Sequence, residues 1–171
     1  MTDNRVRVLG IDPGSQRTGF GILDAFGPKL AYVASGVIRT GDGDFAGRLW
    51  EIFRGMQTLV AEYRPQEIAV ERVFVNRNAG SALKLGQARG AAICATVDAD
   101  ARVFEYAPRE IKMAVVGSGS ADKAQVQLMM KNLLKLERVV AVDAADALAC
   151  AVCHALRGRA LAAAARAART A

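Results

Sequence analysis

Residues 5–11 alternate basic and apolar positions and then run apolar, which predicts a β-strand ending at Asp12. Pro13-Gly14-Ser15 supplies a turn, and residues 20–23 read as a second strand. Residues 30–38, after Pro28, read as a third, with Gly36 the expected bulge or weak point. The short connections predict an antiparallel meander. Beyond Gly41-Asp42-Gly43-Asp44 the period changes. Phe45, Leu49, Phe53, Met56, Val60 and Tyr63 recur at helical spacing until Pro65 stops the stripe.

Ile68-Ala69-Val70 forms the middle of a short buried strand over residues 67–71, with Glu71 at its end. Residues 78–98 predict a helix rich in Gly and Ala, residues 103–106 a fifth strand, and residues 108–116 a short helix. Ser120 is the expected N-cap of a helix carrying Val126, Met129, Met130, Leu133 and Leu134. A last helix starts near Asp143 and buries Ala145, Leu148, Ala149, Val152 and Leu156. This order predicts an α/β chain: a mixed five-stranded sheet, its first three strands antiparallel, flanked by helices. It is the order of a ribonuclease H-like fold.

Composition narrows the setting. The 171 residues, 52% hydrophobic and 23% charged, suffice for one domain with a real core and exclude a disordered chain. The expected domain covers residues 1–157; the Ala/Arg-rich residues 158–171 either prolong the last helix or form a solvated tail. No apolar run approaches the ~20 residues of a membrane span, and the polar N-terminus lacks a signal peptide, so a cytoplasmic protein is expected. Three cysteines make no disulfide framework. The net charge of +6 is uneven: residues 1–71 hold 8 basic and 9 acidic groups, residues 72–171 hold 15 and 8. A basic second half suits a polyanionic partner.

Four carboxylates carry the candidate chemistry. Asp12 and Glu71 end two strands, and Asp143 and Asp146 share one helix face. Brought together they would repel, and a divalent cation resolves that conflict. Oxygen donors favour Mg²⁺ or Mn²⁺, and two ions ~4 Å apart serve in-line displacement at phosphorus. The same residues also admit plainer roles: Asp12-Pro13-Gly14 is a common turn, and Asp143 can cap a helix. Cys150-Ala151-Val152-Cys153-His154 has the haem-attachment spacing, but it continues the last helix, and no haem is expected. His154 is the only histidine, so a Ser-His or Cys-His nucleophile lacks a base and zinc lacks ligands. Asp12, Gly14 and Gly19 also match the first phosphate loop of actin-like kinases, which need a second lobe that one domain cannot supply.

The motifs Gly10-Ile11-Asp12-Pro13-Gly14-Ser15, Glu71-Arg72-Val73-Phe74 and Asp143-Ala144-Ala145-Asp146 stand in order along the chain. Between the last two lies Asn78-Ala79-Gly80-Ser81-Ala82-Leu83-Lys84-Leu85-Gly86-Gln87-Ala88-Arg89-Gly90, the most specific of the set. Together they resemble the RuvC family of bacterial crossover junction endodeoxyribonucleases, or Holliday junction resolvases. The resemblance implies a metal-dependent nuclease acting as a homodimer, with two Mg²⁺ per site and Mn²⁺ able to substitute. Asp12, Glu71, Asp143 and Asp146 fall on the family's acidic catalytic and metal-binding positions. Phe74 falls on an aromatic that stacks at the junction centre, and Lys112 and Lys123 on basic positions near the scissile phosphate. Arg77 and Lys84 are counted with them as DNA contacts. Implied partners are four-way junction DNA and the RuvA–RuvB branch-migration complex.

The first reading is therefore a structure-selective endonuclease that nicks junctions in symmetric pairs, leaving 5′-phosphate and 3′-hydroxyl ends. A junction-binding protein with a dead site is disfavoured, since a pure binder would gain by losing four carboxylates. A ribonuclease H-like RNA-processing nuclease is disfavoured by Phe74 and the segment over residues 78–90.

Overall fold

The structure, a computed structural model, describes residues 5–73, 79–97 and 101–170, with residues 159–170 as backbone alone. β1 (Arg5–Asp12), β2 (Arg17–Phe26) and β3 (Lys29–Arg39) form the antiparallel meander. α1 (Phe45–Tyr63) crosses to β4 (Glu67–Glu71), and α2 (Ala79–Cys94) crosses to β5 (Arg102–Tyr106). Both crossovers return parallel strands, and the sheet order is β3-β2-β1-β4-β5. α3 (Pro108–Val116), α4 (Lys123–Leu133) and α5 (Val142–Thr170) follow. Among the described residues no helix is long and apolar enough to cross a membrane.

Strand alternation divides the core in two. Leu9 and Ile11 join Ile52, Met56, Ile68 and Ala92 on the face covered by α1 and α2. Val8 and Leu23 join Ile111, Val126, Leu148 and Val152 under α3, α4 and α5. Each large aliphatic group so buried contributes about 1.5–3 kcal/mol relative to leaving it exposed.

Local details depart from the sequence reading in three places. The bulge falls at Val33: Ile22 pairs with Ala34 and Leu23 with Tyr32, leaving Val33 as the extra residue. Gly36 instead pairs in regular register with Phe20, and a Cβ there would lie 2.8 Å from the Phe20 ring. The N-cap of α4 is Asp122, whose Oδ1 accepts from Gln125 N at 2.8 Å while the Gln125 amide oxygen accepts from Asp122 N at 2.9 Å. Asp122 has Gln125 three residues on to reach back to its N–H and complete a reciprocal capping box, whereas Ser120 has Lys123 at that spacing, which cannot accept a hydrogen bond. β2 is also longer than expected, because Gly19, Gly21 and Asp24 interrupt its apolar pattern.

Glycines also set the height of α5 above the sheet. A Cβ at Gly10 would stand 2.0 Å from the Ala147 carbonyl oxygen, and one at Gly19 2.0 Å from that of Asp143. Only bare backbone lets the helix lie directly on β1 and β2. That contact brings the first turn of α5 over the strand ends where Asp12 sits.

Candidate active site

Asp12 is the last residue of β1 and Glu71 the last of β4, and these strands are parallel neighbours with Ile11 opposite Val70. Both carboxyl groups therefore leave the sheet at the same edge. Behind Asp12 the chain turns at once, and Thr18 Oγ1 donates to the Gly14 carbonyl at 2.8 Å to close the turn. Asp146 comes down from α5. Asp12, Glu71 and Asp146 line one cavity of about 220 Å³ with Lys112 of α3 and Lys123 of α4, against apolar groups that include Ile111, Val126 and Ala149.

Burial and crowding control the charges here. Asp12 is pushed up from 3.8 to about 8, first by burial and then by the negative charges of Glu71, Asp146 and Asp143, with Lys123 opposing. Glu71 rises from 4.5 to about 7 through burial and the charge of Asp146, against Lys123 and Lys112. Asp146 is raised by burial, with Lys123 as its main opponent. Near neutral pH, with no added cation, the cavity holds protons that ordinary carboxylates would have shed.

The sequence reading pictured four carboxylates without cationic partners. Two of them have one. Asp143 Oδ2 stands 2.9 Å from Arg17 Nε and Asp146 Oδ2 3.6 Å from Lys123 Nζ, each an ion pair. Asp143 is not part of the cavity lining, although its charge reaches Asp12 and Asp146. Among the described residues no three His, Cys, Asp or Glu side chains are placed as they stand to hold an ion. Arg17 escaped the sequence reading. The available signal was its place on the return limb of the turn after Asp12, two residues from Gly19, which pairs with Asp12.

Of the residues expected to touch DNA, Lys112 and Lys123 border the cavity. Lys84, on α2, does not, and its Nζ lies 5.8 Å over the Phe45 ring of α1. Phe74 and Arg77 lie outside the described residues. The Cys-x-x-Cys-His run is buried in α5. His154 Nε2 donates to Glu67 Oε2 at 2.7 Å, and Nδ1 shares a 2.6 Å hydrogen bond with the Tyr106 hydroxyl. Both ring nitrogens are thus engaged in tying α5 to β4 and β5.

The family model for crossover junction endodeoxyribonuclease RuvC matches residues 8–154. The crossover junction endodeoxyribonuclease RuvC of Methylococcus capsulatus is 60% identical over 148 residues, covering 86% of this chain and 89% of that protein. Its counterpart from Thiobacillus denitrificans is 57% identical over 150 residues, covering 88% of each. The structure of T. thermophilus RuvC in complex with Holliday junction substrate superposes with a TM-score of 0.84 at 33% identity, covering 91% of this chain and 96% of that one. The yeast mitochondrial Holliday junction resolvase Ydc2 shares the fold, with a TM-score of 0.62 at 17% identity over 91% of this chain and 79% of its own.

Proposed function

The chain belongs to the RuvC family of crossover junction endodeoxyribonucleases, and from that premise we propose how its residues resolve a four-way DNA junction. The reaction is hydrolysis of two phosphodiesters, one in each of two symmetric strands. Divalent-metal dependence comes with the family. Mg²⁺ as the ion, two per site, with Mn²⁺ as a substitute, is the finer reading, and the donor set fits it. Every candidate donor is a carboxylate oxygen, the chemistry of hard cations. The protons held by Asp12 and Glu71 mark an excess of negative charge that such a cation relieves.

Asp12, Glu71 and Asp146 would hold the ions, with Asp143 joining as Arg17 yields it. Bound there, the ions supply Lewis-acid polarisation at phosphorus and a lowered pKa for the attacking water. Asp12 and Glu71 would have to be ionised to serve as ligands, which burial and crowding resist until a cation is bound. Lys123, beside Asp146, favours its anionic form, which orients the water and accepts its proton. Lys112 and Lys123 neutralise the non-bridging oxygens as charge builds on the phosphate. Attack breaks the bond from phosphorus to the 3′-oxygen, which takes a proton from solvent, leaving 5′-phosphate and 3′-hydroxyl ends.

A homodimer belongs to this reading, because two sites related by a two-fold axis cut two strands alike. Coupling to RuvA–RuvB branch migration and a cytoplasmic setting rest on family membership. Phe74 stacking at the branch point, with Arg77 and Lys84 on the arms, is carried over in the same way. The observation that carries the mechanism is the single cavity in which three carboxylates meet two lysines at the strand ends. Incubation with a synthetic four-way junction, plain duplex and structured RNA, in Mg²⁺ and in chelator, tests it. Paired nicks in the junction alone, abolished by chelator, are expected; equal cutting of duplex or RNA, or cutting in chelator, overturns it.

A further inference from the structure

A groove of about 780 Å³ runs between the edge strand β3 and the segment that joins α4 to α5. It shares no lining residue with the catalytic cavity. Its apolar lining includes Val37, Leu136, Val140 and Ala144, with Tyr32 and Val139 39% and 48% exposed beside them. Three cations, Arg39, Lys135 and Arg138, line it against one anion, Glu137. Among the described residues none of the three cations is in an ion pair. As the end of the sheet, β3 leaves backbone groups without a strand partner. Beyond the bulge at Val33, residues 34–39 pair with β2 in unbroken register and supply most of the β3 wall.

We propose that this groove docks an extended acidic peptide with interspersed apolar side chains, presented by another protein, which adds alongside β3. Each feature selects that occupant. An unpaired strand edge offers main-chain hydrogen bonds, and an apolar floor takes alternate side chains. Unpaired cations at the rim supply the charge complement. Nucleic acid would leave the apolar floor unused. The chain's own C-terminal residues carry Arg166 and Arg169, the wrong sign for this rim.

The test uses the full chain and a short fluorescein-labelled peptide alternating Asp with Val and Leu. Polarisation should show saturable binding that weakens ~10-fold or more in the Lys135→Glu, Arg138→Glu double variant, as loss of rim complementarity requires. Hydrogen exchange should slow at residues 34–39 when the peptide is added. A peptide with Lys in place of Asp should not bind, and junction cleavage by the double variant should equal that of the parent. Both substituted side chains are exposed, and unchanged melting will show that the variant folds. Absence of saturable binding, or binding indifferent to the double variant, overturns the proposal. So does displacement of the peptide by a single-stranded oligonucleotide with a matching loss of junction cleavage, which would make the groove a DNA surface.

Discussion

Arg17 Nε forms an ion pair with Asp143 Oδ2 at 2.9 Å, joining the first residue of β2 to the first turn of α5. The pair gives Asp143 a counter-ion, while burial and crowding push up Asp12 and Glu71 across the cavity. In the proposed mechanism a cation entering the site would compete with Arg17 for Asp143.

Arg17→Gln should therefore bind Mn²⁺ several-fold more tightly in the absence of DNA, measured by titration calorimetry. Because the pair is partly exposed, its loss should destabilise the fold by no more than about 1 kcal/mol. Weaker Mn²⁺ binding would show instead that Arg17 holds Asp143 in its ligating orientation.

The raised carboxyls at Asp12 and Glu71 predict an unusual pH profile. Their folded values of about 8 and about 7 exceed the ordinary 3.8 and 4.5, so in between the folded protein binds more protons than the unfolded chain. Their contribution to stability is complete below the ordinary values and is lost as pH rises through the folded ones. Asp24 and Glu110, lowered by Arg7 and by the Ala107 backbone N–H respectively, act on the acid side. Metal-free melting temperature should fall from about pH 5 to about pH 8, and Mg²⁺ should stabilise more at the upper end. A flat metal-free profile would remove the charge crowding from the argument.

Asp12→Asn, Glu71→Gln, Asp143→Asn and Asp146→Asn should each cut junction cleavage by about 100-fold or more, the usual scale for losing one charge-stabilising group. Junction binding should stay equal or tighten, since each substitution removes negative charge near phosphate. Gel-shift and single-turnover assays separate the two effects, and a variant with full activity drops out of the site.

Lys112→Ala and Lys123→Ala should each flatten the salt dependence of junction affinity by about one unit of slope. If the lysines act on developing charge as proposed, the rate loss should persist at saturating DNA. Lys29→Ala, in an exposed position at the start of β3, serves as control. Equal effects from all three would dissolve the assignment.

His154→Ala should lower stability by about 1–3 kcal/mol, leaving the Tyr106 hydroxyl and Glu67 Oε2 without their shared partner in a buried site. Chemical denaturation reads this directly. A change below a few tenths of a kcal/mol would show that water replaces the ring.

Periodicity located the strands and helices, because the spacing of apolar groups is a local property of each segment. It placed Asp12 and Glu71 at strand ends and Asp143 and Asp146 on one helix face before any packing was known. The cap of α4 and the bulge in β3 were less legible. Asp122 competes with Ser120 within two residues, and the extra residue at Val33 depends on where β3 meets β2. The start of β2 was hidden by Gly19, whose role is to face a helix more than a hundred residues away, and its end by Asp24, which Arg7 pairs across the sheet.

The amino-acid sequence by itself determined the element order, the acidic set and the family motifs, all written in short contiguous runs. Only the tertiary structure decided the pairing of Arg17 with Asp143, the tie from Glu67 through His154 to Tyr106, and the groove beside β3. These join residues far apart in the chain, and no local pattern encodes them. The first two follow from the glycine-bare contact at Gly10 and Gly19, which sets how closely α5 approaches the sheet and so which distant side chains it meets.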